Sequence, residues 1–155
     1  MTHKHIFDIM KRSRRSKVCC IKLPESEKVP LEVLMTAAEI FRLPYLCKVN
    51  VVASRDNIAS FLKHMILLPA KFKELRSLTL FFDYILWDKK DGFLKSLPLL
   101  AEKTLSLEKF ELKAVNCNSL HDESLEQIAQ FLKKAQQLSK LGIKFSAADC
   151  ISNSG

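Results

Sequence analysis

The residues of this chain that could do covalent or metal chemistry are few and scattered. His3, His5, His64 and His121 are scattered, and no carboxylate or cysteine falls at a ligand spacing beside His3 and His5, so no metal site is expected. His121 lies near Cys117 and next to Asp122, the ingredients of a Cys–His pair. A loop leading into a helix explains those residues more simply. Asp122 and Glu123 fit the same reading, as acids at the positive end of a helix dipole rather than an acid/base pair. Three glycines, Gly92, Gly142 and Gly155, cannot build a phosphate-cradling loop. Cys19 and Cys20 are adjacent and lack the gap of a C-x-x-C clamp. With Cys47, Cys117 and Cys150 they make an odd set of thiols, the pattern of a reducing compartment. The expectation is a protein that is not an enzyme and uses no cofactor, placed in the cytoplasm with the nucleus as the other option.

What remains is the chemistry of surfaces, and here the lysines have an order. A pattern with apolar residues at positions 1, 4 and 6 recurs along the chain. It is read at Val18/Ile21/Leu23, Leu46/Val49/Val51, Leu75/Leu78/Leu80, Leu107/Phe110/Leu112 and Leu138/Leu141/Ile143. The starts are separated by 28, 29, 32 and 31 residues. Each opening reads as a strand followed by a loop and a helix, so the stretch Leu107–Phe145 is strand, helix, strand. With positions 1, 4 and 6 in the core, alternation turns positions 3, 5 and 7 outward. Those positions are Cys20, Lys22 and Pro24; Lys48, Asn50 and Val52; Ser77, Thr79 and Phe81; Lys109, Glu111 and Lys113; and Lys140, Gly142 and Lys144. Parallel strands step by roughly 4.8 Å, which sets Lys109 beside Lys140 and Lys113 beside Lys144. Like charges so placed repel, and an anionic partner would relieve them. The candidate partner-binding residues are therefore Lys48, Asn50, Ser77, Thr79, Phe81, Lys109, Glu111, Lys113, Lys140 and Lys144.

The elements that must hold this surface follow from apolar spacing. Pro30 suits the first turn of a helix whose face would be Leu31, Leu34, Met35 and Ala38. Ser54 is placed to cap a second helix burying Ile58, Phe61, Leu62 and Met65, ended by Pro69. A third would bury Phe93, Leu97, Leu100 and Ala101, with Pro98 requiring either a start near Leu97 or a kink. A fourth, from about Asp122, would bury Leu125, Ile128, Ala129 and Leu132. No apolar run approaches the roughly 18 residues of a membrane span.

The L-x-x-L-x-L spacing with repeats near 30 residues resembles the leucine-rich repeat family, in its ribonuclease-inhibitor-like class. The resemblance spans about residues 18–150. It implies an α/β horseshoe of about five repeats, with a parallel sheet on the concave face and helices on the convex face. It also implies work as a non-catalytic scaffold that binds another protein, here an acidic one, through the concave face. The asparagine or cysteine usual after the strand is irregular here, with Asp83, Ile85 and Cys117 near its place.

Net charge is +8, and residues 1–17 carry six basic residues against Asp8 alone, leaving +3 for the other 138. Lys11, Arg12, Arg14, Arg15 and Lys17 form a basic segment that offers an alternative function, contact with nucleic acid or another acidic surface. Ile6, Phe7 and Met10 would let the same segment cap the first repeat. The expected division is thus a basic N-terminal segment, 1–17, and a repeat domain, 18–155, that stops partway through a repeat.

Overall fold

A computed structural model describes residues 17–23, 29–69, 72–83, 94–115 and 122–145; at 42, 54–56, 58, 59, 82 and 83 it describes the backbone alone. Five strands form one sheet in the order β1-β2-β3-β4-β5, every neighbouring pair parallel. They are β1 (Val18–Lys22), β2 (Lys48–Ser54), β3 (Ser77–Asp83), β4 (Lys109–Val115) and β5 (Lys140–Phe145). The crossovers carry α1 (Leu31–Ala38), α2 (Arg55–Leu67), α3 (Leu97–Lys103) and α4 (Asp122–Lys134). A single 3-10 turn extends α1 through Glu39–Arg42, and another, Leu94–Ser96, leads into α3. The architecture is α/β.

A tight turn repeated four times explains why position 1 of the pattern is buried at Leu46, Leu75 and Leu107 and half-buried at Leu138. The N–H groups of Leu46, Leu75, Leu107 and Leu138 donate to carbonyls three residues back, at Leu43, Phe72, Thr104 and Ala135. Each turn folds its leucine under the sheet before the strand begins two residues later. From there alternation takes over. Val49, Val51, Leu78, Leu80, Phe110 and Leu112 are almost completely buried against the helix layer, where α2 supplies Phe61, Leu62 and Met65. Burying a large apolar side chain contributes roughly 1.5–3 kcal/mol, so this single layer carries the fold. Phe41 joins Phe61 and Phe72 at centroid distances of 5.8 and 5.3 Å, and Phe110 meets Phe131 at 4.6 Å.

Several expectations need correcting. Val18 was assigned to the core but is 50% exposed. It pairs with Lys48, not with Leu46, so the first strand is displaced by two residues from the predicted alignment. A two-residue slip leaves every side chain on its own face, and Cys19, Ile21 and Leu23 are the buried set. In α1 the buried face is Val33, Leu34, Ala37 and Ala38, while Leu31 and Met35 are exposed. The stripe that wins is the one that continues into Ile40 and Phe41 of the following turn. In α4 the buried residues are Ile128 and Phe131, and Leu125, Ala129 and Leu132 are exposed. Both sets have helical spacing, but only the first faces α3 and the sheet.

Pro98 is settled by a helix that begins at Leu97, so the proline occupies the first turn, where its missing N–H costs nothing. Phe61, Leu62 and Met65 are buried as expected in α2, which ends at Leu67. The Ser54 cap and the Ile58 side chain, Pro24, Trp87, Phe93, the Cys117–His121 stretch, residues 1–16 and residues 146–155 lie outside the described side chains or residues.

Asn57 was not anticipated. Its amide is buried, and Oδ1 accepts the Val29 N–H at 2.9 Å across 28 residues of sequence, tying one crossover to the next. Asn57→Ala strands that buried N–H and lowers stability by about 1–3 kcal/mol. Urea unfolding checks this through the midpoint at unchanged slope; a midpoint equal to wild type would refute the assigned role.

Candidate functional site

The face of the sheet away from the helices is where the candidate residues meet. Strand pairing draws them into three rungs. The first is Val18, Lys48, Ser77, Lys109, Lys140. The second is Cys20, Asn50, Thr79, Glu111, Gly142, and the third is Lys22, Val52, Phe81, Lys113, Lys144. All ten residues singled out from the sequence share this face, and Lys109 stands opposite Lys140 as Lys113 does opposite Lys144. Of the basic segment only Lys17, exposed just before β1, is described; Lys11, Arg12, Arg14 and Arg15 fall outside the described residues.

Glu111 divides the lysines into two kinds. Its Oε1 is 3.0 Å from the Lys109 Nζ and its Oε2 is 3.6 Å from the Lys113 Nζ. Thr79 completes the set, its hydroxyl donating to Oε2 at 3.2 Å. Lys140 and Lys144 have no ion-pair partner among the described residues. The two β4 lysines thus share one carboxylate within their own strand, while the two β5 lysines share none among the described residues. Gly142 leaves room for the Glu111 stem. A Cβ there would lie 3.3 Å from the Glu111 Cγ, so a side chain on Gly142 would press on the stem that reaches across it.

A second row runs just before the rungs. Arg76 and Glu108 pair across β3 and β4 at the strand entrances, and the Ser139 hydroxyl donates to the Glu108 carbonyl at 3.1 Å. Sequence reasoning missed this row because it read only the alternating positions. The signal was present: Arg76 and Glu108 both directly precede the first outward residue of their strands.

Other candidates disperse. His64 lies on α2 and Cys47 in the turn before β2, where its thiol donates to the Tyr45 carbonyl at 3.5 Å. Among the described residues no three His, Cys, Asp or Glu side chains group as a metal site, and no helix is long and apolar enough to cross a membrane. A scan of protein-family models gives no match for this chain, and a search of curated proteins gives none either.

The Lys109 hydrogen bond holds the Glu111 carboxyl below the ordinary carboxylate range. The charges of Lys109 and Lys113 and the Thr79 hydroxyl assist, against some desolvation. Because the folded pKa is the lower one, the stabilising contribution is complete above the ordinary range and is lost as pH falls through the folded value. A carboxylate-detected NMR titration should therefore place the Glu111 midpoint below that of glutamate in an unfolded peptide. The stability difference between wild type and Glu111→Gln should vanish on acidification. A midpoint at or above the peptide value would contradict the bridging geometry.

Proposed function

We propose that this chain is a non-catalytic protein-interaction module that holds an acidic partner on the outer face of its sheet. The proposal includes the finer architecture: a leucine-rich-repeat-like solenoid of about five units, with that face as its concave side. One observation carries it. Six lysines, Lys22, Lys48, Lys109, Lys113, Lys140 and Lys144, point from one paired sheet face whose described side chains include a single carboxylate, Glu111, already held by two of them. Phe81 and Val52, partly exposed in the third rung, give the surface an apolar contact beside the charge. Aromatic side chains are enriched where proteins meet, so Phe81 offers an anchor beside the lysines.

Catalysis has little to work with on this face. A carboxylate with a depressed pKa and both oxygens engaged is a weak general base, so the Thr79 hydroxyl beside it is not an activated nucleophile. The reading needs no cofactor. A cytoplasmic or nuclear setting suits thiols such as Cys20 and Cys47.

Reversing Lys109, Lys113, Lys140 and Lys144 to glutamate tests the reading, since all four are at least partly exposed and their loss leaves the core intact. The folded quadruple variant should lose capture of acidic proteins that wild type retains at low salt. Wild-type capture should itself weaken as salt screens the surface. Equal capture by both proteins, with matching circular dichroism, would rule the face out.

A further inference from the structure

The β5 end of the sheet combines three features that no other described part of the molecule has together. The first is an open backbone edge. Lys140 donates its N–H to the Glu108 carbonyl on β4. In a parallel ladder alternate residues bond to opposite neighbours, so Lys140, Gly142 and Lys144 turn their backbone groups to β4. Leu141 and Ile143 turn theirs to the outer edge, and neither has a further hydrogen bond among the described residues.

The second is uncovered apolar surface beneath that edge. Leu141 stands at a core position yet is 46% exposed, while its counterparts Val49, Leu78 and Phe110 are buried. On α4, Leu125 and Leu132 are 40% and 36% exposed, outside the buried Ile128 and Phe131 face. This is the row that sequence periodicity assigned to the core. It has the character of a core face with nothing described upon it.

The third is charge. Lys140 and Lys144 flank the edge on the outer face without ion-pair partners among the described residues. Lysines along an edge discourage indiscriminate strand pairing. Two copies of this chain joined edge to edge would bring four ammonium groups together, which is unfavourable. A strand carrying carboxylates at the matching positions meets the opposite balance.

We infer that β5 accepts an added strand from an acidic partner. Its sequence alternates acid–apolar–small or polar–apolar–acid, with carboxylates beside Lys140 and Lys144 and apolar side chains over Leu141 and Ile143. Four residues of extended chain span about 13 Å, the same reach on both strands. Backbone hydrogen bonds supply affinity in such strand addition, and the alternating side chains supply selectivity. The inference shares two lysines with the proposed partner face but places the contact on the edge rather than on the open surface.

The test uses the isotope-labelled full chain and a capped synthetic peptide with the core Glu-Val-Thr-Val-Glu. Binding should slow amide exchange at Leu141 and Ile143, and Lys140→Glu with Lys144→Glu should weaken it about tenfold. A Lys-Val-Thr-Val-Lys peptide should bind the doubly reversed chain and not wild type. Leu141→Lys should weaken the acidic peptide with both lysines in place. Equal binding of a peptide with the two acids made adjacent would overturn the inference. So would prior protection of Leu141 and Ile143 in the free chain, by residues 146–155 or, if it depends on concentration, by a second copy. Should the acidic peptide bind through Lys109 and Lys113 with no protection at Leu141 and Ile143, the face reading stands and the edge reading falls.

Discussion

One hydrogen-bond pattern, repeated four times, sets everything else in register. The Lys17 carbonyl accepts the N–H groups of both Cys47 and Lys48, each at 2.9 Å. Cys47 does the same for Arg76 and Ser77, Arg76 for Glu108 and Lys109, and Glu108 for Ser139 and Lys140. Each strand is thereby gripped at its entrance by the one before it. A slip of one residue would turn Leu78, Leu80, Phe110 and Leu112 to solvent and drive Ser77, Thr79, Lys109 and Glu111 into the core. The burial of those apolar residues and the forked hydrogen bonds enforce the same alignment, so neither has to hold it alone.

From that alignment the surface chemistry follows with little freedom. Lysines placed 31 residues apart in sequence become neighbours because the crossover between them keeps the strands in step. Glu111 can bridge Lys109 and Lys113 because alternation puts all three on one face of one strand, and it can lie over β5 because its opposite residue is Gly142. Exposed ion pairs of this kind contribute little stability, about 0–1 kcal/mol each. Their consequence is distribution: the β4 lysines share Glu111, and the β5 lysines have no ion-pair partner among the described residues.

Much of the arrangement was legible in the sequence, and the failures have identifiable causes. The four L-x-x-L-x-L openings from Leu46 onward located β2 to β5 and the outward residues on them, because a period of two is a strong signal when one face is buried. Val18 misled because it is apolar at the right distance from Ile21, while the turn that buries position 1 has no described counterpart in that repeat. The helix faces were less legible. Leu31 and Met35 compete with Val33 and Ala37 at the same periodicity, and only the neighbouring Ile40 and Phe41 decide between them. Leu125 and Leu132 read as core because periodicity reports that a face is apolar, not that anything lies against it. Asn57 was invisible for a different reason: a buried side-chain-to-backbone bond spanning 28 residues leaves no local pattern.

The central claim is the shared parallel register, since the lysine rungs, the Glu111 bridge and the free edge all derive from it. Cross-strand nuclear Overhauser contacts between backbone protons test it most directly. The account predicts contacts that join Leu80 with Leu112 and Leu112 with Ile143, with Val18 joined to Lys48 at the other end of the sheet. Contacts displaced by one or two residues on β4 and β5, or an antiparallel pattern between them, would contradict it.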